Sequence, residues 1–168
     1  MTVLKGISVR MGNGINKVLP DLYLGNFKDA RDREQLAKHN ITHILSIHDT
    51  AAPILQEMTY LCIPAADLPT QNLLAGVSRS VTLVVAYIMT VTGLGWQEAL
   101  AGVRAARPCA GPNQGFQRQL QEFEQNEAQQ YREWLRREYK ENPFEDAEHL
   151  RSLLLQVPES VTVSPQDT

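Results

Sequence analysis

The tightest constraint on this chain is one stretch. Leu73-Leu74-Ala75-Gly76-Val77-Ser78-Arg79-Ser80, small and hydroxyl-bearing, runs straight into Val81-Thr82-Leu83-Val84-Val85-Ala86-Tyr87-Ile88-Met89. The uncharged run 81–89 has to lie in a core. A glycine-bearing turn that opens so apolar a helix leaves backbone N–H groups unpaired at the positive end of the helix dipole, an arrangement suited to an anion. Arg79 adds a planar fork able to grip two phosphate oxygens. The layout expected from this is an anion loop ahead of Arg79 and a helix over 79–92.

Hydrolysis of a phosphomonoester on such a loop requires a thiolate at its start, with a lowered pKa and in line with the leaving oxygen. The spacing that achieves this is Cys, five residues, Arg. Counting back from Arg79 reaches Leu73, not cysteine. The two cysteines present do not fit either, because Leu68 follows Cys62 and Gly115 follows Cys109 at that spacing. With no nucleophile the covalent route is closed, and removal of one member of a catalytic unit costs on the order of 10⁴ to 10⁶ in rate.

Composition narrows the remaining choices. A chain of 168 residues with 43% apolar residues suits one soluble domain with a real core. A net charge of -3 with scattered Lys and Arg excludes a basic nucleic-acid footprint. Two cysteines in unrelated contexts read as free thiols in a reducing compartment. His43 and His48 lack the i, i+4 spacing of a helical zinc pair, so neither metal nor cofactor is expected. The run 81–89 is shorter than the roughly 20 residues that cross a bilayer, and the first ten residues lack a secretory pattern. The expected location is the cytoplasm, with the nucleus also open to the chain.

In order, residues 1–10 read as an unstructured leader. Met11-Gly12 then resembles a translation start whose glycine is open to myristoylation, although that motif wants Ser or Thr where Asn16 stands. Made from Met1 the chain carries no such lipid, and one myristoyl chain binds membranes weakly and reversibly. No stable membrane anchor is therefore expected unless synthesis starts at Met11 and Gly12 is acylated. Lys17-Val18-Leu19, the turn Pro20-Asp21 and Leu22-Tyr23-Leu24-Gly25 predict a hairpin. Residues 29–39 predict a helix with Ala30, Leu36 and Ala37 inward, and 41–48 and 60–64 predict strands. Helices are expected over 96–106, over 116–139 as one long surface element, and over 144–155. A turn separates the first two at 108–115, and the polar, proline-bearing end 156–168 reads as a disordered tail.

Several ordered blocks carry a family resemblance: Leu22-Tyr23-Leu24-Gly25-Asn26-Phe27, Thr42-His43-Ile44-Leu45-Ser46, Ile63-Pro64-Ala65-Ala66-Asp67, Ala75-Gly76-Val77-Ser78-Arg79-Ser80 and Pro112-Asn113-Gln114-Gly115-Phe116. Over residues 11–155 the chain resembles the atypical dual-specificity protein phosphatases. The resemblance implies a three-layer α/β domain of the Cys-based protein tyrosine phosphatase type, whose parallel-centred sheet delivers a phosphate loop at its C-terminal edge. It implies metal-free, Cys-dependent hydrolysis of phosphotyrosine and phosphoserine or phosphothreonine, with phosphorylated proteins, signalling kinases among them, as partners. Carried over position by position, Asp67 matches the general acid and Arg79 the phosphate-binding arginine. Ser80 matches the hydroxyl that steadies the thiolate, Leu74, Ala75, Gly76, Val77 and Ser78 match the amide cradle, and Asn113 matches the residue that braces the loop.

The departures carry equal weight. Family members place a helix and a central strand ending in His-Cys between the loop after Asp67 and the cradle. Here Asn72-Leu73 runs directly into Leu74, so about two dozen residues are lacking and the nucleophile falls inside the gap. A skipped exon or a misassembled gene would produce this. Gly111 also stands where relatives tend to have asparagine. The fold is thus expected to be incomplete, because a central strand is buried on both faces and each buried aliphatic side chain is worth about 1.5–3 kcal/mol. Three readings follow: a phosphatase by descent, a pseudophosphatase that holds phosphorylated partners through the Arg79 loop, and a destabilised, aggregation-prone splice product without activity. The chain as written favours the last of these over catalysis.

Overall fold

The computed structural model describes residues 14–48, 50–64, 75–140 and 145–155, with backbone alone at 75–78. The Pro20-Asp21 turn between two apolar runs folds as expected. β1 (Asn16–Leu19) pairs antiparallel with β2 (Leu22–Leu24), the register slipping between Lys17 and Leu19.

The helix expected over 29–39 is broken in two. Asn26 Oδ1 accepts from the backbone N–H groups of Lys28 at 2.8 Å and Asp29 at 3.0 Å, which holds a 3-10 turn at Asp29–Arg31. Asp32 then leaves helical geometry and caps α1 (Arg33–Lys38), its carboxylate accepting from Gln35 N at 3.1 Å. Two short polar side chains offer the backbone closer partners than a continuous helix does. The break buries Ala30 and Leu36 but turns Ala37 to solvent, contrary to the sequence expectation.

β3 (His43–Ile47) and β4 (Thr59–Ile63) pair in parallel, His43 opposite Thr59 through Ile47 opposite Ile63. Successive strand residues face opposite sides, so Ile44 packs with Leu36 of α1 while Ile47 faces the remaining helices. This is a three-layer α/β arrangement. The sheet, however, is in two pieces, and among the described residues no ladder joins β2 to β3. Tyr23, Leu36, Ile41, Ile44 and Leu55 form a small core that bridges them.

The principal core forms on α2 (Ala75–Thr92). Gly93, at φ 77, ends that helix in the left-handed region, and α3 (Trp96–Ala106) folds back along it. Pro108 and the residues after it form the expected turn, but α4 (Gln114–Asn126) already starts inside the 108–115 range. The long helix expected over 116–139 is two helices, because Glu127 departs from helical geometry at φ -125 before α5 (Ala128–Tyr139) begins. The break buries Ala128, and both helices pack on α2. α6 (Asp146–Leu155) closes the bundle with Leu150 fully buried; Phe144, Met11, Gly12 and the terminal segments 1–10 and 156–168 lie outside the described residues. No single described helix is long and apolar enough to cross a membrane.

α3 and α6 meet through a glycine. A Cβ at Gly102 would stand 2.6 Å from Leu150 Cδ1. Gly102→Ala is therefore expected to destabilise the protein by about 1–3 kcal/mol, despite the better helix propensity of alanine. The loss should shrink in a Leu150→Ala background, as urea denaturation of the double-mutant cycle would show.

Asp146 is 3% exposed and sits 3.5 Å from the Tyr87 hydroxyl, which donates to it. Burial, reinforced by the Asp146 charge, pushes Tyr87 up to about 12. Burial also pushes the Asp146 carboxyl up, against the hydrogen bond from Tyr87 and the nearby His149. A raised carboxyl binds its proton more tightly in the folded state. Its contribution to stability is thus present below the ordinary carboxylate pKa and lost as pH rises through the folded value. Asp146→Asn is expected to raise the Tm at neutral pH and to leave it unchanged near pH 3, measured by thermal melts of both proteins.

Candidate functional site

The helix expected from Arg79 begins at Ala75 instead, so Ala75, Gly76, Val77 and Ser78 form its first turn rather than a separate loop. Once Arg79 to Thr92 is helical, extending the helix backwards gains one backbone bond per residue fixed. The first-turn N–H groups of such a helix have no acceptor within the helix. Leu74 and Asp67 lie outside the described residues.

Arg79 is half-buried and opens onto a cavity of about 480 Å³. One wall is α2, contributing Thr82, Leu83 and Ala86 on the turns after Arg79. The opposite wall is α4, with Phe116, Gln119, Leu120 and Phe123. Ile47 and Ile63 close it from the strands, and Glu122 and Glu127 add negative charge at the α4 side. Ile47 and Ile63 are the last residues of β3 and β4, so the cavity sits at the carboxyl ends of the parallel pair. Open α/β sheets hold their ligands there. Its residues come from four separate elements, and the apolar ones read in sequence as ordinary core positions. The signal that would have found them is the i, i+4, i+7 spacing of Phe116, Leu120 and Phe123 on α4.

Ser80, next to Arg79, is 4% exposed, and its hydroxyl has no hydrogen-bond partner among the described residues. Asn113 caps α4: its Oδ1 accepts from Phe116 N at 2.9 Å, while Gln117 Nε2 donates to Pro112 O at 2.9 Å. The cap fixes the start of the helix that carries Phe116 and Gln119 into the cavity. Cys62 lies on β4 and Cys109 in the exposed turn after α3, and neither lines the cavity. Among the described residues no three His, Cys, Asp or Glu side chains converge on a metal position.

Comparison with known proteins decides the family. The description "Dual specificity phosphatase, catalytic domain" matches residues 73–126. Dual specificity protein phosphatase 22-B of Danio rerio is 72% identical over 169 aligned positions, taking in 86% of this chain and 92% of the relative. The chain belongs to the dual-specificity protein phosphatases. The human dual specificity protein phosphatase 22 is similar at 58% identity with the same coverage. Among solved structures, DUSP15 superimposes with a TM-score of 0.68 at 45% identity, over 76% of this chain and 97% of that one.

In this dual-specificity phosphatase chain, then, Arg79 and Ser80 are adjacent on the helix that borders the cavity, and Asn113 holds the first turn of the facing helix. Asn113→Ala is expected to lower stability by about 1 kcal/mol, roughly 2–4 °C in Tm, whereas Asn113→Asp retains the cap and the melting temperature. Differential scanning calorimetry of both variants checks this.

Proposed function

We propose that this chain is a catalytically silent dual-specificity phosphatase that holds phosphorylated protein segments through Arg79 and the first-turn amides of α2. The observation that carries the reading is Leu73, standing where a thiolate in line with Arg79 would have to be. Three further observations support it. The alignment with the zebrafish relative runs over 169 positions but takes in only 86% of these 168 residues, which leaves about two dozen positions of the relative without a counterpart. Ser80, the hydroxyl that the family sets against the thiolate, is buried with no partner among the described residues. Among the described residues no ladder joins β2 to β3. One in-frame loss at residues 72–74 accounts for all three. Asp67, as general acid, would then have no covalent step to assist.

The exposure of Leu61 and Ile63 on β4 favours a second reading, a destabilised product that binds nothing. One set of measurements separates the two. The purified chain is expected to show no turnover of an aryl phosphate, while a phosphotyrosine peptide binds saturably and at least about tenfold more weakly to Arg79→Ala, which lacks the charge-assisted hydrogen bonds. Absence of peptide binding would favour the inert product. Vanadate-sensitive turnover by protein of the intact mass would overturn the silent-enzyme reading. Grafting the zebrafish relative's missing positions between Leu73 and Leu74 is expected to restore hydrolysis.

A further inference from the structure

The cavity beside Arg79 carries the two signs of charge on separate walls. Arg79 supplies the positive one from α2, and Glu122 and Glu127 supply the negative ones from the α4 side. The rest of the lining is chiefly apolar, Leu83, Phe116 and Phe123 among it. Glu127 stands where that apolar surface would continue, because it follows Phe116, Leu120 and Phe123 at i+11, on the same helix face. Both carboxylates are exposed, and neither forms an ion pair among the described residues. Two unneutralised carboxylates at the lip of an apolar cavity repel an anion and attract a cation, more strongly as a ligand displaces water.

We propose that the cavity selects phosphotyrosine segments carrying lysine or arginine within two residues of the phosphotyrosine, an inference that rests on Arg79 holding phosphate. The phosphate meets Arg79 and the first-turn amides of α2, the phenyl ring lies against Phe116 and Phe123, and the flanking cation sits at Glu122 and Glu127. The dimensions suit close neighbours in a peptide. Arg79 and Ala86 both line the α2 wall, and seven helical residues cover roughly 10 Å, the reach of about three residues of extended chain. An acidic flank would set like charges together at the α4 rim, so Glu122 and Glu127 act by rejection as well as by attraction.

The test is a fluorescence-polarisation titration of the full chain with three labelled phosphotyrosine peptides, differing only in lysine, alanine or glutamate on both sides of the phosphotyrosine. The lysine-flanked peptide should bind about fivefold more tightly than the glutamate-flanked one, with alanine between, as expected for two exposed charge pairs. Glu122→Gln with Glu127→Gln should abolish the preference, and Glu122→Lys with Glu127→Lys should invert it. Glu145→Gln with Glu148→Gln removes as much charge from exposed positions that do not line the cavity, and should leave the ranking intact. That pair separates the site from general attraction by a chain of net charge -3. Binding of none of the three peptides would overturn the phosphate-holding reading and this proposal with it. Equal binding of all three, a ranking that survives the Glu122 and Glu127 glutamine pair, a ranking that the lysine pair fails to invert, or one lost equally in the Glu145 and Glu148 pair would overturn the proposal while phosphate binding stands.

Discussion

α2 has to be covered on nearly every side, and the rest of the molecule is arranged to do that. Val81, Val84, Val85, Ile88 and Met89 are between 0% and 2% exposed, under a blanket of α3, α4, α5, α6 and the β1–β2 hairpin. Hydrophobic burial on this scale dictates where the chain must turn. Gly93 takes a positive φ so that α3 can return along α2, and Glu127 leaves helical geometry so that α5 can follow α4 around it. The threonines near the end of α2 are reconciled with its apolar surroundings locally: Thr90 donates to Ala86 O at 2.8 Å and Thr92 to Ile88 O at 2.6 Å.

Two arginines secure this packing through backbone and amide oxygens. Arg132 of α5 donates from Nε and Nη2 to Met89 O, at 3.1 and 3.0 Å, pinning α5 to the C-terminal part of α2. Arg107, only 3% exposed, donates to Asn16 Oδ1 at 2.7 Å and Leu24 O at 3.4 Å and so ties the end of α3 to the hairpin. The planar, weakly hydrated guanidinium suits this bridging role, and a lysine would not reproduce its fork. By contrast the Arg33–Glu57 pair lies at the surface with both side chains largely in solvent, and it contributes little to stability.

The side of α2 turned toward the strands is the one left incompletely covered. There the helix, α4 and the ends of β3 and β4 enclose the cavity onto which Arg79 opens. Two buried hydroxyls, Ser46 Oγ in β3 and Ser80 Oγ in α2, lack partners among the described residues. A buried polar group left unsatisfied costs about 1–3 kcal/mol.

Much of this was legible in the residues themselves. The hairpin follows from Pro20-Asp21, the β3 strand from its β-branched run, the end of β4 from Pro64, and the core helix from the uncharged stretch 81–89. These are local signals, each decided by backbone preference or by spacing along the chain. What sequence could not decide was where helices break and which face they bury. The start of α2 at Ala75, the outward turn of Ala37 and the division at Glu127 depend on capping geometry and on what lies across from each residue. The gathering of Ile47, Ile63, Leu83 and Phe123 around Arg79 likewise exists only once four elements pack together, because proximity in space is a property of the packed chain and not of any segment of it.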